Sequence, residues 1–261
     1  MDNTAELWEL FTPTAGGTLQ TGTPIKGTHF TLYYDYDELR DGKLWAPTAS
    51  DGVRIEWFRR RMMGVLIEPL ARLLDPNSPA FLEVNSEFKR TSAQGPHMQG
   101  PWRTFTGSAF LIALTAVDAL GLFVPPAGVN NAPPWQHSGP RFRNFIARML
   151  PQWDVSIPYQ GLQLQPDCSH MMATNQGKLA NILWKEFRCG FAHVFRSHGV
   201  GYDIYLNGRW DIVHGILEVN PIVFFQDFSA AFNQLCQWVQ SDPAFRRFFL
   251  QAFAIVYPPR T

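Results

Sequence analysis

Lys178 to His198 reads KLANILWKEFRCGFAHVFRSH, and the placement of its apolar residues decides the fold class. Leu179, Ile182, Leu183, Phe187, Phe191 and Phe195 recur at steps of three and four. That spacing draws one apolar stripe along a helix and requires a core to receive it. Within the stretch, Arg188 and His193 stand with four residues between them. On an ideal α-helix that step turns the two side chains roughly 140° apart. They share no narrow face, but both can border one groove if Gly190 loosens the turn between them.

Working outward, the flanks repeat the helical theme. Downstream, GVGYDIYLNGRWDIVHGILEVNP alternates across Asn207-Gly208, the strongest short-range signal for a hairpin, and predicts strands near 202–206 and 209–213. Pro221 to Gln240 then places Phe224, Phe225, Phe228, Phe232, Leu235 and Val239 on one side of a helix. Asp242-Pro243 is a cap followed by proline at the first helical position, and predicts a last helix from Ala244 to Val256. Upstream, Thr174 or Asn175 is suited to cap the central helix, and 154–165 reads as extended. Arg141 to Trp153 is a short helix with Phe142, Phe145, Ile146 and Met149 inward and its arginines outward. Phe105 to Leu120 is apolar almost all round and predicts a buried helix.

Towards the amino terminus, Val53 to Leu74 is helical with Ile55, Phe58, Met62, Val65 and Leu66 on one side, and Pro69 should bend or end it. Arg54 and Arg59 to Arg61 there suit phosphate, although a solvated helix face is the commoner use of such a run. Thr28 to Tyr34 is rich in β-branched and aromatic residues, and Asp41-Gly42 lets Lys43 to Trp45 return as a second strand. The sum is a mainly α protein, an antiparallel helical bundle with small β-hairpin insertions. Its expected organisation is an arm or hairpin region over 1–52, a helical region over 53–139 and a second helical region over 140–261. The region over 53–139 ends in the proline- and glycine-rich stretch 124–140, which holds five prolines. That stretch serves equally as a linker or as a long loop in one domain.

Composition excludes several classes. With 261 residues, 46% of them hydrophobic, the chain can bury a sizeable core. Its 22 basic and 22 acidic residues cancel, so nucleic acid would be held by local patches rather than by a global field. Three cysteines, Cys168, Cys189 and Cys236, do not make a disulfide scaffold and suit a reducing cytoplasm. The acidic start MDNTAELWELF lacks a secretory pattern. The apolar run from Ala109 to Val124, broken by Thr115, Asp118 and Gly121, reads as too interrupted for a membrane span. No phosphate loop, nucleophile elbow, zinc-protease or dinucleotide motif is present.

The segment LWKEFRCGFAHVF, with Arg-x4-His near the end of an amphipathic helix, resembles the signature of HEPN domains over about residues 175–240. The resemblance implies a small antiparallel helical bundle, a homodimer and a role in RNA cleavage or binding in prokaryotic defence or toxin systems, with an antitoxin or other partner protein. It implies no metal and no cofactor. By that carry-over Arg188 is the phosphate clamp and His193 the acid-base group, with a second pair supplied by the other subunit. Arg196 and His198, on the same stretch, are RNA-binding candidates. The chemistry suits the residues: histidine titrates near neutrality, and arginine's planar fork matches a phosphate. The residue after the arginine is Cys189, where nuclease members usually carry a polar side chain, which keeps a non-catalytic interaction or dimerisation module as the alternative.

Plainer roles stand beside these. Arg188 can pair with a carboxylate near the helix end, and His193 can be a core histidine with both ring nitrogens satisfied. His170, His198 and His214 each fit surface or packing positions. Cys168, His170, Cys189 and His193 supply four possible zinc ligands, though their spacing departs from familiar zinc patterns.

Overall fold

Phenylalanine supplies 21 of the residues, and the computed structural model shows where its mass goes. The structure describes residues 43–46, 49–79, 81, 101–127, 137–158, 177–189, 200–213 and 216–258, with side chains from 44 and 106 in the segments opening at 43 and 101. These residues are mostly helical with one small three-stranded sheet. The chain divides into two units, Met1–Glu68 with Tyr257–Thr261, and Pro69–Val256.

In the first unit Lys43–Trp45 is a single 3-10 turn rather than a returning strand, and Thr28 to Tyr34 lies outside the described residues. Helix α1 (Asp51–Met62) follows, then a π turn, Met63–Ile67. The inner face carries Ile55, Trp57, Phe58 and Ile67, while Met62, Val65 and Leu66 are only half-buried. Trp57 meets Tyr257 edge to face at 5.0 Å. The arginine run is tied locally. Arg54 bonds the Leu44 carbonyl at 3.0 Å and Asp51 at 2.9 Å, Arg59 grips Glu56 at 2.7 and 2.8 Å, and Arg61 lies over Trp57. These contacts are those of a solvated helix face. Pro69 does not end the helical run, because it falls inside α2 (Glu68–Leu74).

The second unit is built from α3 (Pro101–Leu120), α4 (Ser138–Met149), α5 (Leu179–Ile182) with its π continuation Leu183–Cys189, and strands β1 (Val200–Tyr202), β2 (Trp210–Val213) and β3 (Ile216–Val219). Helices α6 (Pro221–Ser241) and α7 (Pro243–Val256) complete it. Phe224 of α6 sits at the centre, within 5.2 Å of Phe110 and 4.9 Å of Trp153, both edge on, with Phe110 also against Phe187 at 5.2 Å. Burial of each such ring is worth about 1.5–3 kcal/mol, so this cluster holds α3, α6 and the π segment to one another. The predicted inner faces of α4 and α6 are buried as expected, α7 buries Phe245, Phe248, Phe249, Ala252 and Phe253, and Asp242 caps α7 through bonds to the Ala244 and Phe245 amides at 2.8 and 3.1 Å.

Three further expectations are corrected. The central helix starts at Leu179 behind Lys178, with Gly177 at φ 85°, and not from Thr174 or Asn175. Helix α3 is not buried all round, since Ser108, Ile112, Thr115 and Ala119 face outward. Its window Thr106–Phe123 is long and apolar enough to cross a membrane, but 67% of that window is buried within the fold, as in a core helix.

The third concerns the sheet, whose order is β1-β3-β2. β2 pairs antiparallel with β3, and β1 runs parallel to it with Val200 opposite Leu217. Asn207-Gly208 is therefore not a hairpin turn between neighbouring strands. Among the described glycines only Gly177 has positive φ, whereas the tight Asn-Gly turn needs positive φ at both centres. Residues 203–209 instead arch over the end of β3, and Asn220 fills the arch. Its Nδ2 donates to the carbonyls of Leu206 at 2.8 Å and Ile204 at 3.5 Å, while its Oδ1 caps α6 through Ile222 and Val223 at 2.9 and 3.2 Å. One buried amide thus fixes both the loop and the start of the longest helix.

Candidate functional site

A lone acid in an apolar helix asks for partners, because burying an unpaired carboxylate costs several kcal/mol. Asp118 of α3 finds three. Its Oδ1 accepts from Arg141 Nε at 2.6 Å, and its Oδ2 accepts from Ser138 Oγ at 2.9 Å and Arg188 Nη2 at 3.0 Å. The carboxylate side chain is 3% exposed, against 20% for Arg141 and 24% for Arg188. The acid is buried, then, while the two guanidinium groups that flank it open outward.

The backbone places these groups. Gly121, just beyond α3, lies where a Cβ would fall 2.5 Å from the Arg141 carbonyl oxygen, so only glycine lets α4 approach this closely. Asn144 and Arg148 of α4 then donate to the carbonyls of Val124 and Pro125, at 3.1 and 2.7 Å for the nearer bonds. Arg141 was expected to point outward with the other arginines of α4; its bond to Asp118 leaves it only partly exposed.

Arg188 sits on the π segment Leu183–Cys189, and the residues between it and His193 beyond Cys189 lie outside those described. Its guanidinium lies 4.6 Å over the Trp184 ring, which in turn rests against Phe142 at 5.2 Å. Leu179, Ile182, Leu183 and Phe187 are buried as the stripe required. Arg188 is therefore held from two directions, by a carboxylate and by an aromatic face. Neither guanidinium makes a further hydrogen bond among the described residues.

Of the residues singled out from the sequence, Arg188 alone is described with its contacts to this cluster. His193, Arg196 and His198 lie outside the described residues, as do Phe191, Phe195 and His214. Cys189 is a free, half-buried thiol; Cys168, His170 and His193 of the possible zinc set lie outside the described residues, among which no group of three or more metal-ligating side chains occurs. Sequence reading missed Asp118, Arg141, Ser138 and Trp184 as one constellation. Asp118 was the available signal, a single charge midway along an apolar helix. No protein-family model, curated protein or solved structure matches the chain.

Proposed function

We propose that the helical region over 140–261 is an HEPN-like antiparallel helical bundle that binds single-stranded RNA, with Arg188 holding a phosphate and His193 as the acid-base group. The observation that supports this reading is the state of Arg188. Asp118 and Trp184 fix its guanidinium while about a quarter of the side chain stays open. A guanidinium ordered before the ligand arrives loses little further freedom on binding.

In the proposed cleavage His193 takes the proton of a ribose 2′-hydroxyl and the freed oxygen bonds to phosphorus. The bond to the 5′ oxygen breaks, and that oxygen takes up a proton. A 2′,3′-cyclic phosphate and a 5′-hydroxyl result, with Arg188 stabilising charge on the phosphoryl oxygens. Arg196 and His198 as further RNA contacts, a homodimer that supplies a second Arg-His pair, and a cytoplasmic defence or toxin setting with a partner protein belong to the same proposal.

One observation favours a second reading. The bond from Arg188 to a buried carboxylate is also what a purely structural ion pair provides, which fits a non-catalytic interaction module. Purified protein incubated with single-stranded RNA in EDTA separates the two, wild type against His193→Ala. Cleavage that disappears in the variant is the expected result. No cleavage by a correctly folded dimer moves the assignment to the module.

A further inference from the structure

The outer face of α6 carries no charge. Its 21 residues include one charged side chain, Asp227, and that carboxylate is already engaged by Arg209 and the Trp153 indole. Yet charged residues make up 17% of the chain, and a helix that meets water usually shows them on its polar side. What α6 exposes instead is Gln226, Ala230, Asn233, Gln237 and Gln240, at steps of four, three, four and three. That is a repeat of 3.5, the spacing at which one helix lies along another. Gln234 and Ser241 beside the stripe are exposed and uncharged too. None of the stripe's amide side chains makes a hydrogen bond among the described residues, so each keeps its acceptor and donors for another molecule.

We infer that this face of α6 is an interface with a second copy of the chain, the two helices packing antiparallel about a twofold axis at Asn233. An amide is both donor and acceptor, so a row of amides is complementary to its own copy, as a twofold interface requires. The stripe also fits its reverse. About Asn233 the antiparallel register sets Gln226 opposite the partner's Gln240 and the short Ala230 opposite the partner's Gln237, and it opposes the two helix dipoles. A strongly charged partner would find no counter-charge here, whereas the centres of protein interfaces are depleted of charge in the same way. One helix face is smaller than the roughly 20–30 residues a side of a standard interface, so the dimer is expected to be weak, with a Kd of about 1–100 µM. A homodimer is part of the function proposed above, and the inference shares that partner; the face and its register rest on α6 alone.

Sedimentation equilibrium of the full chain over about 1–300 µM reads the dimer. Wild type is compared with Asn233→Glu, Asn233→Lys, an equimolar mixture of those two, and the double variant Gln226→Lys/Gln240→Glu. All three positions are exposed, and the new residues suit a helix at least as well as those they replace, so the fold is retained. Like charges brought face to face should weaken self-association of each Asn233 variant by about tenfold or more. The mixture should return to within about threefold of wild type, because opposite charges then meet. The double variant should associate about threefold more tightly, since the antiparallel register pairs its opposite charges twice; weaker or unchanged association overturns that register. A wild-type dimer that tolerates both Asn233 substitutions, or variants that dissociate and do not recover on mixing, overturns the face and leaves the homodimer of the proposed function to another surface. A monomer throughout overturns the face and that homodimer together, while RNA binding through Arg188 is judged by its own assay.

Discussion

Asp118→Asn is the perturbation that weighs most on the site. The substitution keeps the shape and removes the charge. Asparagine has one acceptor oxygen where aspartate has two, so its amide nitrogen must face either Arg141 Nε or the pair formed by Ser138 Oγ and Arg188 Nη2. Because the Ser138 hydroxyl can accept as well as donate, either orientation loses the bond to one arginine. A hydrogen bond to a charged group is worth about 1.5–3 kcal/mol. Breaking a fully buried ion pair costs about 3–5 kcal/mol, but water reaches both arginines, which are 20% and 24% exposed. The net expectation is about 2–3 kcal/mol of lost stability, or an apparent Tm lowered by about 5–10 °C. Denaturant unfolding of wild type, Asp118→Asn, Arg188→Gln and the double variant closes a cycle with an expected coupling of about 1–2 kcal/mol. Arg188→Gln alone should cost less than Asp118→Asn, because Arg141 and Ser138 still satisfy the carboxylate. A variant Asp118→Asn within about 0.5 kcal/mol of wild type would refute the view that this carboxylate organises the cluster.

Other perturbations have defined outcomes. Gly121→Ala forces a methyl group against the Arg141 carbonyl and should cost about 1–3 kcal/mol by overpacking, with thermal unfolding as the readout and an unchanged Tm as the contrary result. Asn220→Asp retains the cap on α6 but places a carboxylate against the Leu206 and Ile204 carbonyls; a loss of about 2–3 kcal/mol is expected, whereas a loss of a few tenths would mean the arch does not depend on that amide. In the first unit, hydrogen bonds from Arg59 hold the Glu56 carboxyl below its ordinary 4.5, helped by the charges of Arg59 and Arg60 and opposed by burial. A depressed folded value means stabilisation present above the ordinary value and lost as pH falls through the folded one. Glu56→Gln should remove that acid sensitivity, by only about 0.3–0.5 kcal/mol because the pair is exposed, seen as a flatter stability profile below pH ~5.

How much of this was legible in the sequence follows from what each signal encodes. Periodicity reports burial, and the buried faces of α4 and α6 follow from the spacing of Phe142, Phe145, Phe224, Phe228 and Phe232. Turn chemistry reports a local bend and nothing about which strands it joins, so Asn207-Gly208 pointed to a hairpin where the chain makes an arch, and β1 found a parallel partner beyond β2. The π winding of Leu183–Cys189 leaves no mark in a pattern that α and π turns share, and the angular relation from Arg188 to His193 runs over residues outside those described. Pairing of Arg188 with some carboxylate was an open alternative from the start. Which carboxylate required three dimensions, because Asp118 is 70 residues away in sequence. Gly121 carries no chemistry of its own, and its meaning comes from the Arg141 carbonyl that stands beside it.

The claim on which the account turns is that Arg188, fixed by Asp118 and Trp184, meets the phosphate backbone of RNA. Fluorescence anisotropy of a 2′-O-methyl single-stranded oligoribonucleotide in EDTA, wild type against Arg188→Gln at matched salt, tests it most directly. The account predicts about tenfold weaker binding by the variant with its fold retained. Equal affinity in the two proteins, or no binding by either, would contradict it.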